Sequence, residues 1–104
     1  MQTSITPKEL ADLSDITILD VRKKPAYDED TVVIPGATWR DPGMFEEWGP
    51  KLANGGPVIC YCVHGHEVSQ GAAAALRDLG IEARYLEGGI EGWKATGGRL
   101  APRP

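Results

Sequence analysis

The sequence predicts an α/β domain with a mostly parallel central sheet and helices on both faces. Three observations predict it. Short apolar, β-branched runs alternate along the chain with stretches of helical character. One of those runs, Val58-Ile59-Cys60-Tyr61, is the strongest strand in the chain. It is followed by a convincing amphipathic helix over Glu67–Leu79, where Val68, Ala72, Leu76 and Leu79 recur at helical spacing and Gly80 supplies the stop. The alanines at 72 to 75 let that helix pack close to a sheet. At 104 residues the chain supports one domain with one modest core.

The elements follow in order. Thr6-Pro7-Lys8-Glu9 opens a short helix: Thr6 is the cap, Pro7 suits the first helical position, and Glu9 completes a capping box. Leu10 and Leu13 give this helix an apolar side. Ile16–Val21 is a short buried strand. Lys23–Asp30 is polar with an early proline and suits a short helix. Val32, Val33 and Ile34 lead to the turn Pro35-Gly36 and a brief strand at Ala37–Trp39. Asp41-Pro42-Gly43 caps a helix running through Phe45 and Trp48, and Asn54-Gly55-Gly56-Pro57 is a loop. Ala83–Leu86 is a further strand, and Gly89–Ala95 is a last short helix closed near Gly97-Gly98. The domain core is expected over residues 6–98. Residues 99–104 have no periodic pattern and are expected to form a loose tail.

Hydrophobic residues make up 41% of the chain and charged residues 25%, as in ordinary globular proteins. The net charge of −4 leaves no footprint for nucleic acid or an anionic membrane. No apolar run approaches a membrane span, and residues 1–10 lack the apolar stretch of a signal peptide, so a cytoplasmic location is expected. Cys60 and Cys62 stand too close in sequence for an unstrained structural disulfide, and reduced thiols are expected.

In open sheets of this type, ligands bind beyond the carboxyl ends of the strands. That rule singles out Asp20 and Arg22, Arg40 and Asp41, and Cys62. Cys62 lies between the best strand and the best helix, in the segment Cys62-Val63-His64-Gly65-His66-Glu67-Val68-Ser69. Backbone N–H groups of Val63, His64, Gly65, His66, Glu67 and Val68 can turn inward as an anion-binding nest, and the helix adds its positive end. Both favour a thiolate over a thiol. Gly65 suits a tight loop that needs positive φ. The bland alternative makes Cys62 a small buried hydrophobe.

Several motifs stand in order along the chain: Asp20-Val21-Arg22, an aromatic at Tyr27, Ile34-Pro35-Gly36-Ala37, Cys62-Val63-His64-Gly65, and Glu87-Gly88-Gly89 with Trp93. Together, from about Thr6 to Gly98, they resemble the single-domain rhodanese family. Within it, the chain is similar to rhodanese domains found beside, or fused to, chromate-resistance proteins. The resemblance implies a sulfurtransferase with Cys62 as the persulfide-carrying nucleophile. It implies a small sulfur donor, thiosulfate or a persulfide, and a thiol or cyanide acceptor; a protein sulfur donor or acceptor is an alternative. No cofactor is expected; a metal site of Cys60, Cys62, His64 and His66 can be written down, but its spacing does not fit the usual zinc patterns and a strand would point Cys60 inward, so no metal is expected.

The chain departs from the family pattern at Glu67, where loops suited to thiosulfate often carry a basic residue. Arg22 and Arg40 are the candidates to supply positive charge, and Arg22 equally suits an ion pair with Asp20, Asp28 or Glu29. His64 and His66 are expected to shape the loop through their backbones, His66 being the better side-chain candidate. Cys60 is expected in the core, with a resolving thiol as the other option. The stretch before Ile34 also differs, lacking the usual Gly-His. Trp93 is expected to be structural. Two rival functions remain. A phosphatase would need an arginine where Val68 stands, and the loop reads as short for that chemistry. A non-catalytic rhodanese-like binding or regulatory module is the other.

Overall fold

The computed structural model describes residues 2–52 and 56–104. Asn54 and Gly55 of the expected loop lie outside the described residues. The elements are β1 (Ser4–Ile5), α1 (Pro7–Ala11), β2 (Thr17–Asp20), α2 (Lys24–Glu29), β3 (Val32–Val33), β4 (Thr38–Trp39), α3 (Phe45–Trp48), β5 (Val58–Tyr61), α4 (Glu67–Asp78), β6 (Ala83–Leu86), α5 (Gly89–Ala95) and β7 (Ala101–Pro102). Single 3-10 turns flank α3 at Pro42–Met44 and Pro50–Leu52. The Thr6 capping box forms as its residues dictate: Glu9 N–H donates to Thr6 Oγ1 at 3.1 Å, and Thr6 N–H donates to Glu9 Oε1 at 2.9 Å. Such a cap stabilises a helix by about 1 kcal/mol.

Among the described residues the main sheet has five strands in the order β1-β6-β5-β2-β4, all pairs parallel. The most apolar strand, β5, takes the centre. Strand alternation divides its side chains between two cores. Val58 and Cys60 join Leu19, Val21 and Ala83 under α4 and Trp48. Ile59 and Tyr61 join Ile5 and Leu86 under Leu10 of α1 and Ile90 and Trp93 of α5. Both faces are therefore covered, as a parallel sheet requires. Each fully buried aliphatic side chain, such as Ile59 or Leu76, contributes about 1.5–3 kcal/mol.

Three details differ from the sequence reading. The chain end is not a loose tail: β7 pairs antiparallel with β3, and Arg103 donates its N–H to Thr31 O at 2.9 Å. Two-residue segments leave no periodicity to reveal such a pairing, because the ladder uses backbone alone. Leu79 is 45% exposed, since α4 ends at Asp78 and Ala73 takes the inward position instead. Leu13 is 40% exposed, since α1 stops at Ala11 before its next turn can face the core. No helix among the described residues is long and apolar enough to cross a membrane.

Candidate active site

The carboxyl end of β5 places Cys62. Asp20 lies opposite Tyr61, and Val21 N–H donates to Tyr61 O at 2.9 Å, so Val21 runs beside Cys62. Cys62 continues the alternation of β5 and falls on the same face as Cys60, the side covered by α4. Its Sγ lies 3.1 Å from Ser69 Oγ in the first turn of that helix. Cys62 is only 6% exposed, so the strand-to-loop junction does not leave it open. Ser69 is completely buried, and the thiol is its hydrogen-bond partner.

The loop is held by its carbonyls. Ile90 N–H donates to Cys62 O at 2.9 Å and Glu91 N–H donates to Val63 O at 3.1 Å, so the start of α5 clamps the start of the loop. Gln70 Nε2 donates to Gly65 O at 3.0 Å. Gly65 has φ +74°, and a Cβ there would lie 2.7 Å from Leu86 O and 2.8 Å from Gly88 N. No bulkier residue fits. Gly89 sits against Val63 O and Cys62 O in the same way. The amides of Val63, His64, Gly65, His66, Glu67 and Val68 have no protein acceptor among the described residues. They lie at the amino-terminal, positive end of the twelve-residue helix α4.

The charged candidates fare differently. Arg22 is not available to a substrate. It is 1% exposed, and its guanidinium donates to Asp20, to Asp30 Oδ2 at 2.9 Å and to Val32 O at 3.2 Å. Its partners are thus Asp20 and Asp30 rather than Asp28 or Glu29. Burying an arginine at the sheet edge requires this neutralisation. Tyr61 Oη donates to Asp20 Oδ2 at 3.0 Å and completes the cluster. Arg40 is exposed and carries no carboxylate partner among the described residues. Glu67, His64 and His66 are all exposed, the two imidazole rings standing 6.1 Å apart. Neither imidazole hydrogen-bonds to Cys62 among the described residues.

Cys60 has no exposed surface, and burial raises its thiol to about 12, against a small opposing effect of Arg77. At neutral pH it remains a thiol of the core. Trp93 and Trp48 are buried, their indole N–H groups donating to Arg99 O and Asp41 O at 2.7 Å each. Tyr27 stacks on Trp39 with ring centroids 5.1 Å apart.

Two features escaped the sequence reading. Ser69 was one, since a lone serine inside an alanine-rich helix carries no signal until its register against Cys62 is known. The other is a groove of about 560 Å³ between the start of α2, the turn before α3 and helix α4, lined by Lys23, Lys24, Asp41 and Val68 among others. These lysines follow β2, so the sheet brings them to the edge that carries Cys62.

A family model for the rhodanese-like domain matches residues 6–96. Thiosulfate sulfurtransferase GlpE of Coxiella burnetii is 36% identical over 88 residues, covering 84% of this chain and 79% of that protein. A solved structure from Rhodopseudomonas palustris, described as a protein of unknown function and possible tyrosine phosphatase, superposes with a TM-score of 0.84 at 26% identity. It covers 96% of this chain and 85% of that one. The crystal structure of a thiosulfate sulfurtransferase from Pseudomonas aeruginosa has a TM-score of 0.79 at 24% identity, covering 97% of this chain and 19% of that one, a likeness of fold.

Proposed function

The chain belongs to the rhodanese-like domain family, and from that membership we propose that it is a sulfurtransferase working through a persulfide on Cys62. The observation that carries the proposal is the seat of Cys62. Its sulfur meets the buried Ser69 hydroxyl at 3.1 Å, at the base of a loop whose amides lack protein acceptors among the described residues.

In the first half-reaction the Cys62 thiolate attacks the outer sulfur of thiosulfate. A Cys62 S–S bond forms, the S–S bond of the donor breaks, and sulfite leaves with the electron pair. In the second, cyanide or an acceptor thiolate attacks the terminal sulfur and restores the Cys62 thiolate. A persulfide donor enters by the same displacement and leaves as a thiolate. Splitting the transfer into two displacements is the advantage of a covalent intermediate. The amides of residues 63–68 and the Ser69 hydroxyl donate to the sulfur that holds the charge in each state. Lys24 is engaged by Asp28 at 3.2 Å, so exposed Lys23, which follows β2, is the lysine left to attract an anionic donor toward this edge of the sheet. Arg40 is the arginine left for that role, Arg22 being neutralised. A reducing, cytoplasmic setting keeps both cysteines free, as they stand here.

A phosphatase reading lacks the guanidinium that would clamp a phosphate, since Val68 occupies that place and Arg77 donates to Ala83 O at 3.1 Å. The test is turnover of thiosulfate or a small persulfide with cyanide, comparing the native protein with Cys62→Ser. Loss of all turnover with an unchanged fold is expected. Full activity in the variant would refute the assignment, and inactivity of the native protein toward both donors would favour a binding module.

A further inference from the structure

A second concave site lies away from Cys62. It is a groove of about 670 Å³ between α1 and the turn after α5, floored by Ile16, Ile18, Ile34 and Trp93. Its size is that of small-molecule sites. Ile16 immediately precedes β2 and Ile18 lies in its amino-terminal half, at the end of the sheet opposite the cysteine loop.

The wall made by residues 96–99 is built around Trp93. Its indole N–H donates to Arg99 O at 2.7 Å, Thr96 Oγ1 donates to Trp93 O at 2.9 Å, and Gly98 N–H donates to the same carbonyl at 2.9 Å. A Cβ on Gly98 would collide with the indole ring, so glycine alone lets the chain cross the aromatic face this closely. That wrapping fixes Arg99 on the rim. Lys8 of α1 also lines the groove.

Among the described residues, Lys8 and Arg99 are the only charged ones that line the groove, and both are cationic. Neither takes part in an ion pair among the described residues. The carboxylate of neighbouring Glu9 is turned onto the Thr6 cap, while Asp12 and Asp15 lie outside the lining. Two unpaired cations give this apolar groove a local positive sign on a chain whose net charge is −4. An apolar floor with a cationic rim complements one kind of occupant. It has an alkyl or aryl body that displaces water from Ile18 and Trp93, and an anionic head that meets Lys8 and Arg99.

We infer that this groove is a binding site for an amphipathic carboxylate, separate from the cysteine site. The inference stands independently of sulfur transfer.

The test titrates the full, isotope-labelled chain with decanoate and, as a control of reversed charge, decyltrimethylammonium, following backbone and indole N–H signals by NMR. Decanoate is expected to shift the Trp93 indole and Gly98 signals saturably below about 1 mM while leaving Val63 and Ser69 unmoved. The double variant Lys8→Glu, Arg99→Glu, both at exposed positions, is expected to weaken binding about tenfold or more. Ala11→Trp, which fills the groove from exposed α1, is expected to abolish the shifts. Equal response to both amphiphiles, or no saturable response to decanoate, would overturn the inference. So would broadening of the groove signals on raising protein concentration alone, with sedimentation showing a dimer, because a second copy would then be the occupant.

Discussion

Ser69 and Cys62 show what a single contact can do. The serine is fully buried with its hydroxyl 3.1 Å from the sulfur, so it donates to Cys62 once the thiol has lost its proton. A hydrogen bond of this kind stabilises by about 1 kcal/mol. Ser69→Ala is therefore expected to slow alkylation of Cys62 by iodoacetamide several-fold at neutral pH, with little change in melting temperature. An unchanged rate would mean that the hydroxyl has no hold on the sulfur. The place of Cys62 just past a strand and the positive φ of Gly65 were legible in the sequence, because both follow from chain position. Ser69 was not legible, since its meaning depends on the register of α4 against β5. Arg22 was ambiguous for a related reason. Its partner Asp20 is two residues away, but Asp30 reaches it only through the path of α2.

At the scale of elements, β5, the cysteine loop and α5 form one clamp. Ile90 and Glu91 donate to loop carbonyls, and Gly65 and Gly89 provide the close backbone approach. Gly65→Ala adds a Cβ 2.7 Å from Leu86 O at a positive φ. It is expected to cost about 2 kcal/mol or more of stability, because both the contact and the backbone are strained. Chemical denaturation measures that loss, and sulfur loading is expected to fall with it as the amides lose their arrangement. A native-like midpoint would show that the loop tolerates relaxation. The long amphipathic α4 and apolar β5 were readable from periodicity and composition. The two-residue strands β1, β3 and β7 were not, because so short a ladder leaves no periodic trace.

Across the whole molecule, Asp30 ties the chain end to the sheet edge. Its Oδ2 accepts from Arg22 Nη1 at 2.9 Å and from Lys94 Nζ at 2.8 Å, and its carbonyl accepts from Arg103 Nε at 2.9 Å. Burial alone would raise its carboxyl, but the bonds from Lys94, Val32 N–H and Arg22 outweigh this and hold it below the usual aspartate range. A depressed carboxyl stabilises the fold above its unfolded pKa, and that stability is lost as pH falls through the lower folded value. Stability is thus expected to fall with acid from about pH 4 downward, and Asp30→Asn is expected to flatten that dependence while lowering stability at neutral pH. Denaturation midpoints of both proteins between about pH 2 and pH 7 measure it. Identical slopes would place the acid sensitivity elsewhere. The parallel, doubly covered sheet was legible from the alternation of strands and helices, whereas the antiparallel closure by β3 and β7 became visible only in three dimensions.

The central claim is that Cys62 carries sulfur, and intact-mass analysis tests it most directly. The reduced protein is incubated with thiosulfate and, separately, with a low-molecular-weight persulfide, and the modified peptide is then mapped. The account predicts one added sulfur atom, removable by cyanide or a thiol, on the peptide bearing Cys62. No added sulfur from either donor, with Cys62 shown to be free, would contradict it.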